Sequence, residues 1–127
     1  MKEIKLFMDK IRKAKGFDKV RFIILYGSVA KDKQNDLSDI DFCVYYDGSK
    51  RDAYKFRMKL LGNLSNKFDV HIFNSLPLYI RKEILAGKVL YYKDMKFLYN
   101  IAYSTIKEFD DFKKHYYSYI GYDGKRN

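Results

Sequence analysis

The apolar run VRFIILY, residues 20–26, constrains the fold of this 127-residue chain more than any other feature. Apart from Arg21 its residues are apolar, and its valine and isoleucines are β-branched, which favours an extended strand. Successive side chains of a strand project to opposite sides, so a nearly continuous apolar run predicts a strand that is buried on both faces. Such a strand belongs inside a central sheet.

Helical and strand patterns alternate along the rest of the chain. Apolar residues at three- and four-residue steps predict helices, and short β-rich runs predict strands. The predicted helices span 2–14, 49 to about 66, 77–87 and about 94–119, and the predicted strands span 20–26, 39–46, 68–73 and 88–92. This order predicts an α/β (α+β) fold, with a central sheet flanked by helices in one domain over 1–127.

Two of the predicted helices carry a defined apolar stripe, which we expect to face the sheet. In the first helix the stripe consists of Ile4, Phe7, Met8 and Ile11. In the second helix it consists of Tyr54, Met58, Leu61 and Leu64. Ser49 is a candidate N-cap of the second helix, because its hydroxyl can accept a hydrogen bond from a free backbone N–H.

Composition narrows the cellular setting and the partners. The apolar runs are too short for a membrane span or a signal peptide, and Cys43 is the one cysteine, so we expect a cytoplasmic protein without an intramolecular disulfide. Lysine and arginine number 26 against 16 aspartates and glutamates, which gives a net charge of +10. A basic surface attracts phosphates, nucleotides, nucleic acids or acidic proteins, and the scattered lysines do not choose among these partners.

Three aspartates in the predicted strands form a candidate metal site. Asp39 and Asp41 share one face of the strand 39–46, where two carboxylates repel each other unless a cation lies between them. Asp69 interrupts the apolar strand 68–73, and it lies beside Asp41 if the two strands are neighbours. One cysteine and two distant histidines lack zinc-site spacing, so the expected ion is Mg²⁺. Three carboxylates can hold two such ions about 3.5–4 Å apart for phosphoryl or nucleotidyl transfer.

A Gly-Ser pair follows the first strand directly. Gly27 allows a sharp turn and a close approach of a ligand to the backbone, and Ser28 would begin a helix or turn whose free N–H groups favour a phosphate. Lys31 and Lys33 lie one turn further on and could reach the same anion. One end of the stretch 27–41 therefore suits triphosphate oxygens, and the other end suits the metal ions that bridge them.

The spacing of these residues resembles that of the nucleotidyltransferase superfamily built on the polymerase-β-type palm. The signature of that superfamily is Gly-Ser, ten residues, then Asp-x-Asp. Gly27–Ser28, Val29–Ser38 and Asp39–Asp41 match it without a gap, and Asp69 matches the single acid further downstream. The resemblance covers about residues 20–73 and implies a polymerase-β-like fold, with a central mixed sheet flanked by helices.

The short chain also resembles the minimal nucleotidyltransferases, many of which are antitoxins paired with a HEPN-type ribonuclease toxin. Members of that group move AMP from ATP to a tyrosine hydroxyl of the toxin and silence it. The resemblance implies a role for each matched residue: Asp39 and Asp41 bind two Mg²⁺ ions, Asp69 ligates one ion and is a candidate proton acceptor, and Gly27, Ser28 and Lys31 hold the phosphates. The family usually has arginine at the position of Lys31, so this phosphate contact would lack the planar fork of a guanidinium.

Other functions stay open from the residues alone. The chain could neutralise a toxin by binding without catalysis, modify a small molecule such as an aminoglycoside antibiotic, or bind nucleic acid through its basic surface. His71 shares the strand face of Asp69, and it either lines the site or is a semi-buried histidine with a satisfied partner. Cys43 continues the face of Asp41 and is expected in the core. The tyrosines of the last helix are expected to pack or to form a partner surface.

Overall fold

The computed structural model describes residues 2–27 and 39–119 of the chain. Its helices are α1 (Lys2–Arg12), α2 (Lys50–Gly62), α3 (Leu78–Ile84) and α4 (Met95–Tyr119), and its strands are β1 (Val20–Tyr26), β2 (Ile40–Tyr46), β3 (Phe68–Ile72) and β4 (Lys88–Tyr92). Short 3₁₀ turns precede β1 and follow β3. The alternation of helices and strands predicted from the sequence is confirmed, with boundaries that differ by a few residues.

The four strands form one mixed sheet in the order β3-β2-β1-β4. β1 pairs with β2 and with β4 in antiparallel fashion, whereas β2 and β3 run parallel. A parallel pair needs a crossover connection, which α2 supplies between β2 and β3. The central position of β1 explains why its apolar residues are buried on both faces.

One face of the sheet packs against α1 and α2. The buried stripe of α1 consists of Phe7, Met8 and Ile11, as predicted, and Ile4 packs at its margin. The ring of Phe7 stacks on that of Phe42 from β2, with centroids 3.6 Å apart and planes 6° from parallel. This face is a continuous apolar core, to which β2 contributes the side chains that alternate with its polar ones.

The opposite face packs against α3 and α4 in a smaller apolar cluster. Phe22 and Ile24 of β1 lie there with Cys43 of β2, and Ile84 and Leu98 cover them from the two helices. Cys43 is fully buried, which confirms its predicted place in the core. The side chains of β1 and β2 that point away from the first core therefore form a second core on the opposite face.

The predicted apolar stripe of the second helix is right for Leu61 and Leu64, which pack against the core, and wrong for its other two members. Tyr54 and Met58 are 59% and 45% exposed, whereas the buried stripe consists of Ala53, Phe56 and Leu60. Both sets follow helical spacing, so periodicity alone does not decide between them. The start of the helix is as predicted, because the Ser49 hydroxyl accepts a hydrogen bond from the Asp52 amide at 3.1 Å.

Several ends of elements also differ from prediction. The second strand begins at Ile40 rather than 39, and α2 ends at Gly62 rather than near 66. The third strand ends at Ile72, where a 3₁₀ turn begins. Within the described ranges, every helix is too short or too polar to cross a membrane.

Candidate active site

The end of β1 brings the backbone against a carboxylate of β2. Gly27 follows the strand with a φ of +84°, a conformation that L-residues with a side chain rarely adopt. A Cβ atom at this position would lie 2.8 Å from Oδ2 of Asp41. Glycine is therefore needed here for two reasons, the backbone conformation and the space that the Asp41 side chain occupies.

The register of β2 and β3 brings two carboxylates together. Asp41 and Asp69 are direct partners in the parallel pairing, and Cys43 and His71 are partners two residues further along. Oxygen atoms of Asp41 and Asp69 and a ring nitrogen of His71 all lie within 4.8 Å of one another. The three side chains are partly exposed at the end of the sheet, so solvent and ligands can reach them.

Asp69 is held on both of its oxygens. Oδ1 accepts a hydrogen bond from the Val70 amide at 2.9 Å and lies 3.6 Å from Nη2 of Arg57 in α2. Oδ2 lies 3.0 Å from Nε2 of His71. The carboxylate therefore has a defined orientation, with one oxygen toward α2 and the other toward His71.

The electrostatics of Asp41 show that its charge is poorly compensated. Burial, and after it the charge of Asp69, raise the pKa of Asp41, while His71 lowers it and Asp39 adds a smaller upward shift. A raised pKa means that the folded protein disfavours the ionised form of this carboxyl group. A cation between the two aspartates would remove this penalty.

Tyr26 lies beside the carboxylates and also lines a neighbouring cavity. It is the β1 partner of Asp41, and its ring meets the ring of His71 edge-on, with centroids 6.1 Å apart. Burial, and after it the neighbouring Cys43, Asp41 and Asp69, raise the pKa of the phenol. Tyr26 therefore stays neutral at pH 7 and can donate a hydrogen bond.

The cavity has a volume of about 900 Å³ and adjoins Tyr26 and Gly27. Its other walls come from α3, the turn that follows it and the start of β4, with Lys82, Glu83 and Lys88 among them. This volume is in the range of small-molecule sites. Two lysines beside one glutamate make its charged lining mainly basic, which suits an anionic ligand.

The donor atoms at the end of the sheet fit a divalent cation. Two carboxylates and one imidazole lie close enough to share one ion, and the carboxylates are the ligands that hard cations prefer. Burial and the neighbouring Asp69 both raise the pKa of Asp41, and a bound cation would favour its ionised form. The residues present therefore suit a divalent metal ion.

Comparison with known proteins assigns the chain to a family. Residues 9–96 match the family described as "Polymerase beta, Nucleotidyltransferase". The chain belongs to this nucleotidyltransferase family. A protein of Methanocaldococcus jannaschii, named "Putative protein adenylyltransferase", is 40% identical over 96 residues, which are 76% of this chain and 75% of that protein.

Solved structures of other proteins share the fold of this chain. A crystal structure of a toxin–antitoxin with AMP-PNP superposes with a TM-score of 0.74 at 21% identity, over 95% of this chain and 97% of the other. The complex of a tri-AMPylated Shewanella oneidensis HEPN toxin with its MNT antitoxin gives a TM-score of 0.66 at 20% identity, over 92% and 95%. At these identities the likeness concerns the fold alone, and together with the family match over residues 9–96 it confirms the polymerase-β-like fold predicted from the sequence.

The structure brings together some of the predicted site residues of this nucleotidyltransferase and not others. Asp69 lies beside Asp41, as expected for neighbouring strands, and Gly27 lies against Asp41. Asp39 lies one residue before β2, is exposed and is outside the group of three ligand atoms that lie within 4.8 Å. Ser28 and Lys31, with Lys33, lie outside the described residues.

His71 combines the two roles that the sequence leaves open, since it joins the group of three and has Asp69 as its partner. Two further residues of the site, Arg57 and Tyr26, are not marked as site residues by the sequence. One arginine on a helix of many charged residues carries no signal, and the one signal for Tyr26 is an aromatic residue directly before Gly-Ser.

Proposed function

We propose that this chain is a Mg²⁺-dependent adenylyltransferase that moves AMP from ATP to a tyrosine hydroxyl of a HEPN-type toxin and thereby acts as its antitoxin. The pairing of Asp41 with Asp69 beside Gly27 carries the proposal, because it places an anionic metal site next to a glycine turn that a phosphate can approach. The archaeal relative named as a protein adenylyltransferase and the toxin–antitoxin complexes of the same fold support it.

In this proposal Asp41 and Asp69 would hold Mg²⁺ from the sheet, and Asp39, exposed one residue before β2, would join them in binding two ions. When bound, such ions offset the charge of the triphosphate and lower the pKa of the incoming hydroxyl. The acceptor oxygen forms a new bond to the α-phosphorus of ATP, and the bond to pyrophosphate breaks. Because a tyrosine hydroxyl has a pKa near 10, its proton must be removed at pH 7. Oδ2 of Asp69 is the proposed acceptor, since it faces the cluster rather than α2.

The phosphate contacts of the proposal lie on the side of β1. Gly27 leaves the backbone open to a phosphate oxygen, and Ser28 and Lys31 would add a hydroxyl and an ammonium group. The cavity beside Gly27 has the volume and the basic residues to take part of a nucleotide. We propose a cytoplasmic location, because the substrate is ATP and the single cysteine forms no intramolecular disulfide.

The test is transfer of label from ATP that is marked at the α-phosphate. The purified chain is incubated with Mg²⁺ and the product of the adjacent gene as the toxin to be tested, and tyrosine labelling is mapped by mass spectrometry. Asp41→Asn should lower the labelling rate by at least about 100-fold, because it removes an ionised ligand of the metal site. Asp9→Asn is the matched control, because Asp9 is exposed on α1, away from the site.

Three outcomes of this experiment can be distinguished. Label on the toxin that Asp41→Asn abolishes and Asp9→Asn preserves supports adenylyl transfer and identifies the acceptor residue. Undiminished labelling by Asp41→Asn would overturn the assignment of the metal site. Binding of ATP without any labelled toxin would mean that this toxin is the wrong acceptor.

Neutralisation of the toxin by binding alone is the second candidate function, and the surface of α4 favours it. Tyr99, Tyr103 and Phe112 are 70%, 65% and 58% exposed along this helix. Exposed aromatic residues are enriched in protein interfaces. If the toxin is inhibited equally well without nucleotide and by Asp41→Asn, binding rather than transfer is the mechanism.

A further inference from the structure

Arg57 contacts the candidate site from outside it. Its side chain leaves the middle of α2 and is 28% exposed, so it lies largely between the helix and β3. Nε donates a hydrogen bond to the carbonyl oxygen of Val70, and Nη2 lies 3.6 Å from Oδ1 of Asp69. One guanidinium group thus contacts both the backbone of β3 and the carboxylate beside it.

These contacts fix the carboxylate of Asp69 relative to the strand. Oδ1 of Asp69 also accepts a hydrogen bond from the Val70 amide, so Arg57 and Val70 hold the same oxygen. The other oxygen, Oδ2, lies toward His71, within the group that Asp41 completes. A carboxylate without these contacts has a nearly free terminal torsion, and ordering it on ligand binding costs conformational entropy.

The planar fork of arginine matters for this arrangement. Its separate N–H groups can reach a carbonyl and a carboxylate at the same time, whereas lysine offers one ammonium group on a flexible stem. The charge of Arg57 and the geometry of its contacts therefore predict opposite effects on metal binding. As a cation near a metal site, Arg57 weakens metal binding by repulsion, and as a clamp on Asp69 it strengthens metal binding by holding the ligand in place.

We propose that Arg57 is a positioning residue of the adenylyl transfer reaction, acting through Asp69, which it holds by one oxygen so that the other lies toward His71. The proposal rests on the proposed function, since Asp69 has a catalytic role only there. Its effect on metal binding does not depend on the acceptor or on the transfer step.

The experiment measures Mn²⁺ binding to the full chain, without ATP or toxin, by electron paramagnetic resonance. Arg57→Gln should raise the Kd for Mn²⁺ about 10- to 100-fold, which is the usual effect of losing a group that orients a metal ligand. Arg57→Lys keeps the charge and loses the fork, and it should also raise the Kd. Arg51→Gln and Arg51→Lys are matched controls, because Arg51 is exposed on the same helix, and they should leave the Kd unchanged.

A double variant tests whether Arg57 acts through Asp69. In an Asp69→Asn background, Arg57→Gln should cause no further rise in the Kd, because the group to be positioned is already altered. Far-UV circular dichroism and the Tm in EDTA establish that each variant is folded. If Arg57→Gln does not fold, the comparison of Arg57→Lys with Arg51→Lys decides.

The proposal is overturned if Arg57→Gln binds Mn²⁺ as tightly as the wild-type chain or more tightly, since charge repulsion or a purely structural role would then suffice. An unchanged Kd in Arg57→Lys, or no Mn²⁺ binding by the wild-type chain, overturns it as well. Failure of the proposed function looks different. In that case neither the wild-type chain nor any variant labels the toxin. The order of the Mn²⁺ affinities still reports on Arg57.

Discussion

The two faces of the sheet differ although the same strands build both. On the face toward α1 and α2, β2 contributes Ile40, Phe42 and Val44, and all three are buried in a continuous apolar core. On the other face it contributes Asp41 and Cys43, of which only Cys43 is buried in apolar surroundings. The apolar cover on this second face ends before it reaches Asp41.

This difference shows how a small domain can carry an unfavourable acidic site. Packing on the first face stabilises the strands, so the second face can leave one end open to solvent. The site then lies at the ends of strands whose positions are fixed by a core on their reverse side.

The largest expected effect on stability comes from a substitution on the face toward α1 and α2. Phe42→Ala should lower the free energy of unfolding by about 3–5 kcal/mol, because it removes a fully buried ring that stacks on Phe7. The chain has no tryptophan, so urea unfolding is followed by circular dichroism. Cys43→Ala, at the next position on the opposite face, removes a single sulfur atom and should cost about 1 kcal/mol.

Similar losses for Phe42→Ala and Cys43→Ala would contradict the view that the face toward α1 and α2 is the main source of stability. If Phe42→Ala does not fold at all, Phe42→Leu gives the same comparison with a smaller change in volume.

An intermediate effect is expected at the boundary between strand and site. Gly27→Ala should lower the free energy of unfolding by about 1–2 kcal/mol, because alanine is strained at a φ of +84°. It should also impair Mg²⁺-dependent transfer, since its Cβ would press on Oδ2 of Asp41. The matched control is Gly62→Ala at the end of α2, where no atom lies within 4 Å of the added Cβ.

We expect Gly62→Ala to leave the stability unchanged or to raise it by up to about 1 kcal/mol. The two variants are compared by urea unfolding and by labelling of the toxin. Equal behaviour of Gly27→Ala and Gly62→Ala would mean that the turn after β1 tolerates a side chain and that Gly27 is not adapted to the site.

The smallest effect on stability, and one of opposite sign, is expected at Asp41 on the other face of the sheet. Asp41→Asn should raise the Tm in EDTA, because it removes a carboxylate whose ionisation the folded state disfavours. A raised pKa in the folded state means that wild-type stability falls as pH rises through the range between the ordinary and the raised pKa. The advantage of Asp41→Asn should therefore be present at pH 7 and shrink as the pH is lowered through that range.

Thermal unfolding in EDTA at a series of pH values checks this expectation, with Asp9→Asn as the exposed control. A clearly lower Tm for Asp41→Asn at pH 7 would mean that the acid serves the fold, and the contrast between the two faces would then disappear. Addition of Mg²⁺ with ATP should raise the Tm of the wild-type chain and not that of Asp41→Asn.

The strands and the carboxylate pair were predictable because their causes are local. The apolar run at 20–26, the period-2 pattern that includes Asp41 and the lone acid at Asp69 all follow from side-chain alternation in strands. The stripe of α1 was predicted correctly because that helix has one apolar face, whereas α2 has two sets of apolar residues at helical spacing, Tyr54 and Met58 among the wrong one.

Contacts between separate elements were not predictable in the same way. Arg57 meets Asp69 across 12 residues only because α2 crosses back over β3, and no local pattern marks it. Asp39 was placed on the strand by its spacing to Asp41, but pairing in the structure begins at Ile40. Where a strand ends depends on its neighbours in the sheet, which periodicity does not contain.

The sequence by itself determined the order of the elements, the alternation that separates the two faces of β2 and the motif that joins Gly27 to Asp41. These follow from the conformational preferences of residues and their nearest neighbours along the chain. Only the tertiary structure decided that Asp41 and Asp69 are partners in a parallel register, and that Arg57 and His71 hold Asp69 from two sides. Such contacts between separate elements form when helices and strands pack together. Burial of apolar surface, rather than local preference, selects the register of each strand and the crossing of each helix.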